Sequence, residues 1–238
     1  LQVVADRLQR GALAAGLVLT IPALRGLLPA GTLRAAAGMP AAIATMTLLN
    51  LAFFGVDVFV PLALVEVRGA TVAFAGLALT AATISWTAGS WIQARTAERV
   101  SRRTMARIGI LLLGIAFVLT AAALLPSVPL AVAVGGWGVA GLGMGLAYTT
   151  HSLAMLELAE PGQEGEAAAS LNLSSVLGSG FGAGIGGALI ALLQGQGEPL
   201  ARALLGQYGA MLAVAAVAFI AARGLPGRSG PPGVGPPG

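Results

Sequence analysis

Asp57 is the side chain best placed to do chemistry, because it is the one acid well inside an uncharged run, between Met39–Val56 and Val58–Val65. A charged side chain at the bilayer centre costs about 2.5–3.5 kcal/mol on insertion scales, so such a group faces protein or water rather than lipid. A carboxyl withdrawn from bulk water suits a site that binds and releases a proton. Thr47, Asn50, Phe54, Asp57 and Pro61 recur at three- and four-residue spacing. On a helix that spacing lays down one largely polar stripe with a proline near its end. Asp57, Asn50 and Thr47 are therefore the candidate proton-coupling and cavity residues. The competing reading is structural, with Asp57 bonded to a neighbouring helix or reaching exterior water.

A second polar cluster, Tyr148-Thr149-Thr150-His151-Ser152, lies toward one end of a later apolar run. His151 is the only histidine and titrates near neutral pH when solvated, so Tyr148 and His151 are candidates for cavity lining or coupling. The plainer reading makes His151 a hydrogen-bonded wall residue. Glu66 and Arg68 read as an exposed terminus or a gate pair. Thr80, Thr83, Thr87 and Ser90 share one helix face and read chiefly as packing hydroxyls that bond back along the helix or across to a neighbour.

Several chemistries are excluded. There is no cysteine, hence no thiolate nucleophile, thiolate metal site or disulfide. With one His and nine acids in all, a buried metal cage is not expected, nor is any cofactor. Gly182, Gly184 and Gly187 spell a formal GxGxxG, but a dinucleotide site needs a strand before it and a helix after it. Here the pattern lies inside a continuous apolar run. Gly141–Gly145 and Gly178–Gly182–Gly186 instead read as small-residue series that let helices approach closely. No nucleophile–base constellation marks an enzyme.

The elements that must position these residues follow from composition. Apolar residues make up 57% of the chain and charged residues only 9%, with a mean hydropathy of +0.88. A soluble domain is nearer a quarter charged. Runs of roughly 20 apolar residues suit helices crossing a core of about 30 Å, and they lack the alternation of a membrane barrel. Six spans are expected, at about 40–65, 71–94, 107–125, 130–156, 167–193 and 203–222. The fold class is all-α, a polytopic membrane protein with a six-helix transmembrane bundle over 40–223 and the lipid bilayer as solvent. Residues 1–39 read as the end of a preceding helix (about 11–28, interrupted by Pro22 and Arg25) and a cytoplasmic linker. The Gly/Pro-rich stretch 224–238 reads as a disordered cytoplasmic tail. An opening on Leu1 and a polar stretch, without a signal peptide, suggests the downstream part of a longer protein.

Alternating the six spans puts Arg25, Arg34, Arg95, Arg99, Arg102, Arg103, Arg107, Arg223 and Arg228 on one side, with Arg68 and Arg202 on the other. The positive-inside rule makes the first side cytoplasmic and places the chain in the cell membrane with its C-terminus inside. Two links on that side differ in sign. The link ending at Arg107 is basic, whereas the one carrying Glu157, Glu160, Glu164 and Glu166 is acidic. The two either latch or form separate solvated collars.

The basic link reads Ala94-Arg95-Thr96-Ala97-Glu98-Arg99-Val100-Ser101-Arg102-Arg103. It resembles the Gly-x-x-x-Asp-Arg-x-Gly-Arg-Arg loop of the major facilitator superfamily, with the acid, the following Arg and the closing Arg pair in register. Both glycines are replaced, and Glu98 stands for the Asp. Leu27–Arg34 and Phe53–Leu64 are also similar to the many-helix drug–proton antiporter branch. The resemblance implies a secondary transporter, with these six spans as a C-terminal half made of two inverted three-helix repeats. It implies an N-terminal six-helix half sharing the cavity, with protons and a small hydrophobic or cationic substrate as ligands. It makes Arg95, Glu98, Arg99, Arg102 and Arg103 the cytoplasmic loop motif and gate. A membrane scaffold or receptor that transports nothing is the alternative.

Overall fold

The structure, a computed structural model, describes residues 31–227. The described chain is helical, with no strand. Six helices are long and apolar enough to cross a membrane: α1 (Met39–Val67), α2 (Val72–Thr96), α3 (Arg102–Ala122), α4 (Ala131–Glu157), α5 (Glu164–Gly195) and α6 (Leu200–Ala221), the last continued by a 3-10 turn to Gly224. This is the fold class expected from hydropathy. The expected helix at 11–28 and residues 228–238 lie outside the described residues.

Helix ends are set by local chemistry rather than by the hydropathy edge. Thr71 caps α2 by accepting from the Phe74 N–H at 3.2 Å, and Ser101 caps α3 by accepting from the Thr104 N–H at 3.1 Å. The cap at Ser101 starts α3 at Arg102, not near 107. Arg102, Arg103 and Arg107 therefore lie on helix, and only 97–101 joins α2 to α3. Helices extend past the hydrocarbon edge because water and capping side chains satisfy their terminal groups there. α5 likewise begins at Glu164, with Glu164 and Glu166 in its first turn, where carboxylates complement the helix dipole.

The stretch expected to be loose from Gly224 is packed as far as it is described. Leu225 is fully buried. The Gly38 N–H donates to the Gly224 carbonyl at 3.1 Å, the Arg103 N–H to Pro226 at 3.3 Å, and Arg103 Nε to Leu225 at 3.1 Å. A buried apolar side chain and three satisfied carbonyls outweigh the Gly/Pro composition over this short piece.

α1 is broken near its middle. Pro61 has no N–H to give the Asp57 carbonyl, so the α-helix stops at Asp57, turns through Val58 and Phe59, and resumes as Val60–Leu62 followed by π-helix at Ala63–Val67. Beyond the break, Arg68 reaches across to the α3–α4 link. It donates to the carbonyls of Ala123, Leu125 (2.7 Å) and Val128 (2.9 Å), not to Glu66.

α1 and α4 form the centre, with 50% and 56% of their most apolar stretches buried against 22% in α2 and α5. The main packings repeat when the first three helices are exchanged for the last three. α4 lies across α2 as α1 lies across α5, and α3 backs α4 as α6 backs α1. Because each unit has three spans, the second unit runs in the opposite direction through the bundle. Large apolar side chains such as Ile84, Leu111, Val176 and Ile220 remain exposed on the flanks.

Candidate functional site

The break in α1 carries Asp57 and is pinned by two neighbours. From α4, the fully buried Trp137 donates its indole N–H to Asp57 Oδ1 at 3.0 Å. From α6, the Gln207 side-chain amide donates to the Gly55 carbonyl. Gln207 is itself fully buried, and its Oε1 has no partner. Asp57 is half-buried and makes no ion pair among the described residues. A carboxylate and a carboxylic acid both keep an oxygen free to accept from an indole N–H, so this bond survives a change of protonation.

The indole is held rigid by stacking. Trp137 lies parallel to Phe53 (centroids 5.5 Å, 16°) and to Phe117 (6.3 Å, 20°). Phe53 meets Trp86 edge-on at 5.6 Å, and Trp86 leans on Tyr148 at 5.6 Å. Each offset or edge contact adds about 0.5–1.5 kcal/mol beyond area burial. The aromatic row starts at the acid and runs about 16 Å along α4 toward its C-terminal end, tying α1, α2, α3 and α4 together.

Other residues of the expected stripe part company with Asp57. Asn50 is buried where α1 meets Gly178 of α5, and its amide donates to the Met46 carbonyl at 2.9 Å. Thr47 donates to the Ile43 carbonyl at 3.0 Å and lines a groove toward α6. The three share a helix face, but different helices cross that face at different heights. Asp57 alone combines a charge-bearing group with the α1–α4 centre.

His151 is completely buried, with Nδ1 2.6 Å from the Ala147 carbonyl and Nε2 without a partner. It is walled in rather than open to a cavity. Tyr148 Oη lies 3.2 Å from Ser175 Oγ and links α4 to α5.

In the loop motif, Arg102 is buried and forms a forked ion pair with Glu157 at the end of α4, its Nε lying 3.2 Å from Oε2. The basic and acidic links thus meet at one pair. Arg95 stacks over Trp91 at 3.8 Å, Arg103 holds the Leu225 carbonyl, and Glu98 and Arg99 are exposed. Because Arg102 and Glu157 belong to the same bundle, their pair braces α3 against α4.

The glycine series sit at the two helix crossings. A Cβ on Gly141 or Gly145 would overlap the carbonyls of Ala82 and Trp86 on α2, and one on Gly178 or Gly182 would overlap those of Thr47 and Leu51 on α1. Gly186 faces the Gly55 carbonyl, 2.9 Å from where its Cβ would stand. Backbone meets backbone at both crossings. Ser90 joins this set by reaching the Gly145 carbonyl at 3.5 Å, while Thr80, Thr83 and Thr87 bond to their own helix and face outward.

Sequence reasoning missed Trp137 and Gln207. Each carried a signal: a tryptophan two turns inside a span, and a lone amide inside an otherwise apolar span.

A sequence model of the Major Facilitator Superfamily matches residues 41–237, from the first turn of α1 onward. No curated protein matches the chain. The six spans, the paired three-helix packing and this match agree: the chain belongs to the major facilitator superfamily, a family of membrane transporters.

Proposed function

We propose that this chain is the C-terminal six-helix half of a proton-coupled exporter of small hydrophobic or cationic compounds, working by alternating access. The carrying observation is Asp57, the acid inside a span, held at the break of a central helix by a neutral donor that tolerates both protonation states. A cationic substrate and a proton compete for one carboxylate. Uptake of a proton from outside neutralises Asp57 and releases the cation, and loss of that proton inside restores the site. Trp86 and Tyr148, the partly buried members of the aromatic row, offer an apolar, cation-tolerant wall.

The faces of α2 and α5 support a second unit. They are the least buried of the six, and the hydroxyls of Thr80, Thr83 and Thr87 are already satisfied along their own helix. Such a face meets another bundle without stranding polar groups. Arg placement supports a cell-membrane orientation with the C-terminus inside.

The test is Asp57→Asn in the complete transporter, reconstituted in vesicles. Substrate-dependent proton flux should vanish while insertion and expression persist. Undiminished flux in the variant would remove Asp57 from coupling. Absence of any such flux in the unaltered protein would favour the scaffold reading.

A further inference from the structure

α6 has an apolar groove on each side, and the two meet at one arginine. Between α6 and α3, about 440 Å³ is lined by Ile110, Leu111, Gly114, Leu212 and Phe219. Between α6 and α1, about 550 Å³ is lined by Ala44, Leu48, Val217 and Ala221. Ile220 and Arg223 border both. From Leu212 to Arg223 the helix rises roughly 16 Å, which is one leaflet of a hydrocarbon core of about 30 Å.

The rim at this end is positive. Arg34 borders the α1 groove, and the Arg107 guanidinium lies 4.1 Å over Phe219 in the wall of the α3 groove. Among the described residues none of Arg34, Arg107 and Arg223 pairs with a carboxylate, and Arg107 Nε is buried without an acceptor. Three guanidinium groups stand above two apolar grooves, one about a leaflet deep beside α3 and a shorter one of about 10 Å beside α1. Together they are complementary to an anionic head on two acyl chains. A zwitterionic choline head would bring a fourth cation to the same rim. A free anion would leave the grooves unfilled.

We infer that α6 seats one anionic diacyl phospholipid astride its basic end. One chain lies in each groove, and the phosphate rests at Arg223 between Arg34 and Arg107. Guanidinium forks match phosphate oxygens, and basic pockets between membrane helices hold anionic headgroups in this way. The site lies on the lipid-facing back of the bundle and does not depend on the transport reading.

Native mass spectrometry of the full chain, mixed with phosphatidylglycerol and phosphatidylcholine of identical chains, tests it without any variant. Phosphatidylglycerol should be retained at least tenfold over phosphatidylcholine, and single-chain lysophosphatidylglycerol more weakly than the diacyl lipid. Arg107→Gln with Arg223→Gln should erase the headgroup preference. Gly114→Leu should weaken retention with every charge in place, since a Cβ there meets only Leu212 Cδ1, at 3.4 Å. Equal retention of the two diacyl lipids, or equal retention of the single-chain lipid, would overturn the proposal. So would efficient disulfide formation between Ile220→Cys and a cysteine placed within residues 11–28, which would give the grooves to the chain's own segment.

Discussion

Where α2 crosses α4, Gly89, Gly141 and Gly145 bring two backbones together, and hydroxyls then join them. Ser90 reaches the Gly145 carbonyl at 3.5 Å, and Thr149 donates to Ser90 Oγ at 3.0 Å. Where α1 crosses α5, Gly178, Gly182 and Gly186 make an equally close approach, but among the described residues no side-chain hydrogen bond joins the two helices. Thr47 and Asn50 stand at that crossing and spend their donors on their own helix. One crossing is therefore keyed in register by directional bonds, and its counterpart is a close backbone contact without them among the described residues. The unkeyed crossing lies on the helix that carries Asp57, whose directional bonds come instead from α4 and α6. In a transporter the helix that must shift is better served by a contact that keeps its closeness while sliding.

The flattening of this comparison by bulk should give the largest effect. Gly141→Leu drives a side chain into the Ala82 carbonyl, and overpacking of this kind costs about 1–3 kcal/mol or more. Loss of a folded, monodisperse species in detergent is the expected outcome, whereas Gly184→Ala, with nothing within 4 Å of the new Cβ, should leave the unfolding midpoint in place.

The brace at the basic end comes next. Arg102→Gln leaves Glu157 without its partner, and because Glu157 is partly exposed the cost should be near 2 kcal/mol, below the 3–5 of a fully buried pair. Chemical unfolding in mixed micelles reads it, and adding Glu157→Gln should recover part of the loss. No recovery would mean the pair is not the brace.

Trp137→Phe keeps the stack with Phe53 and Phe117 but removes the donor to Asp57. A loss of about 1 kcal/mol in stability is expected. The sharper readout is the pH profile of transport, which should move while expression does not.

The smallest effect separates the crossings most finely. Ser90→Ala should cost about 0.6 kcal/mol, the usual scale for a hydrogen bond between membrane helices. Asn50→Leu at the opposite crossing should not loosen α1 from α5, because its amide is bonded within α1. Cross-linking rates between cysteines on each helix pair would show whether the two crossings differ as described.

How much of this was legible beforehand depends on the kind of signal. Six spans could be counted because burial in lipid demands length and apolarity, which are properties of consecutive residues. Asp57 stood out because a carboxyl in such a run is costly. The partners of Asp57 were not legible. Trp137 is 80 residues away in sequence, and no local pattern says which helix crosses α1 at that height. Thr47 and Asn50 share the periodicity of Asp57, yet helix crossings put them against other neighbours. Hydropathy places the start of α3 near 107, whereas the cap at Ser101 fixes it at Arg102.

By itself the sequence determined the solvent, the all-helical class and the acid set inside the first span, since each follows from composition or from neighbours along the chain. Only the tertiary structure decided that Asp57 meets an indole, that Gln207 holds the broken strand of carbonyls at Gly55, and that one glycine crossing is keyed while its twin is smooth. Those outcomes depend on the angle and height at which helices pass one another, and such geometry is set by the packing of the whole bundle.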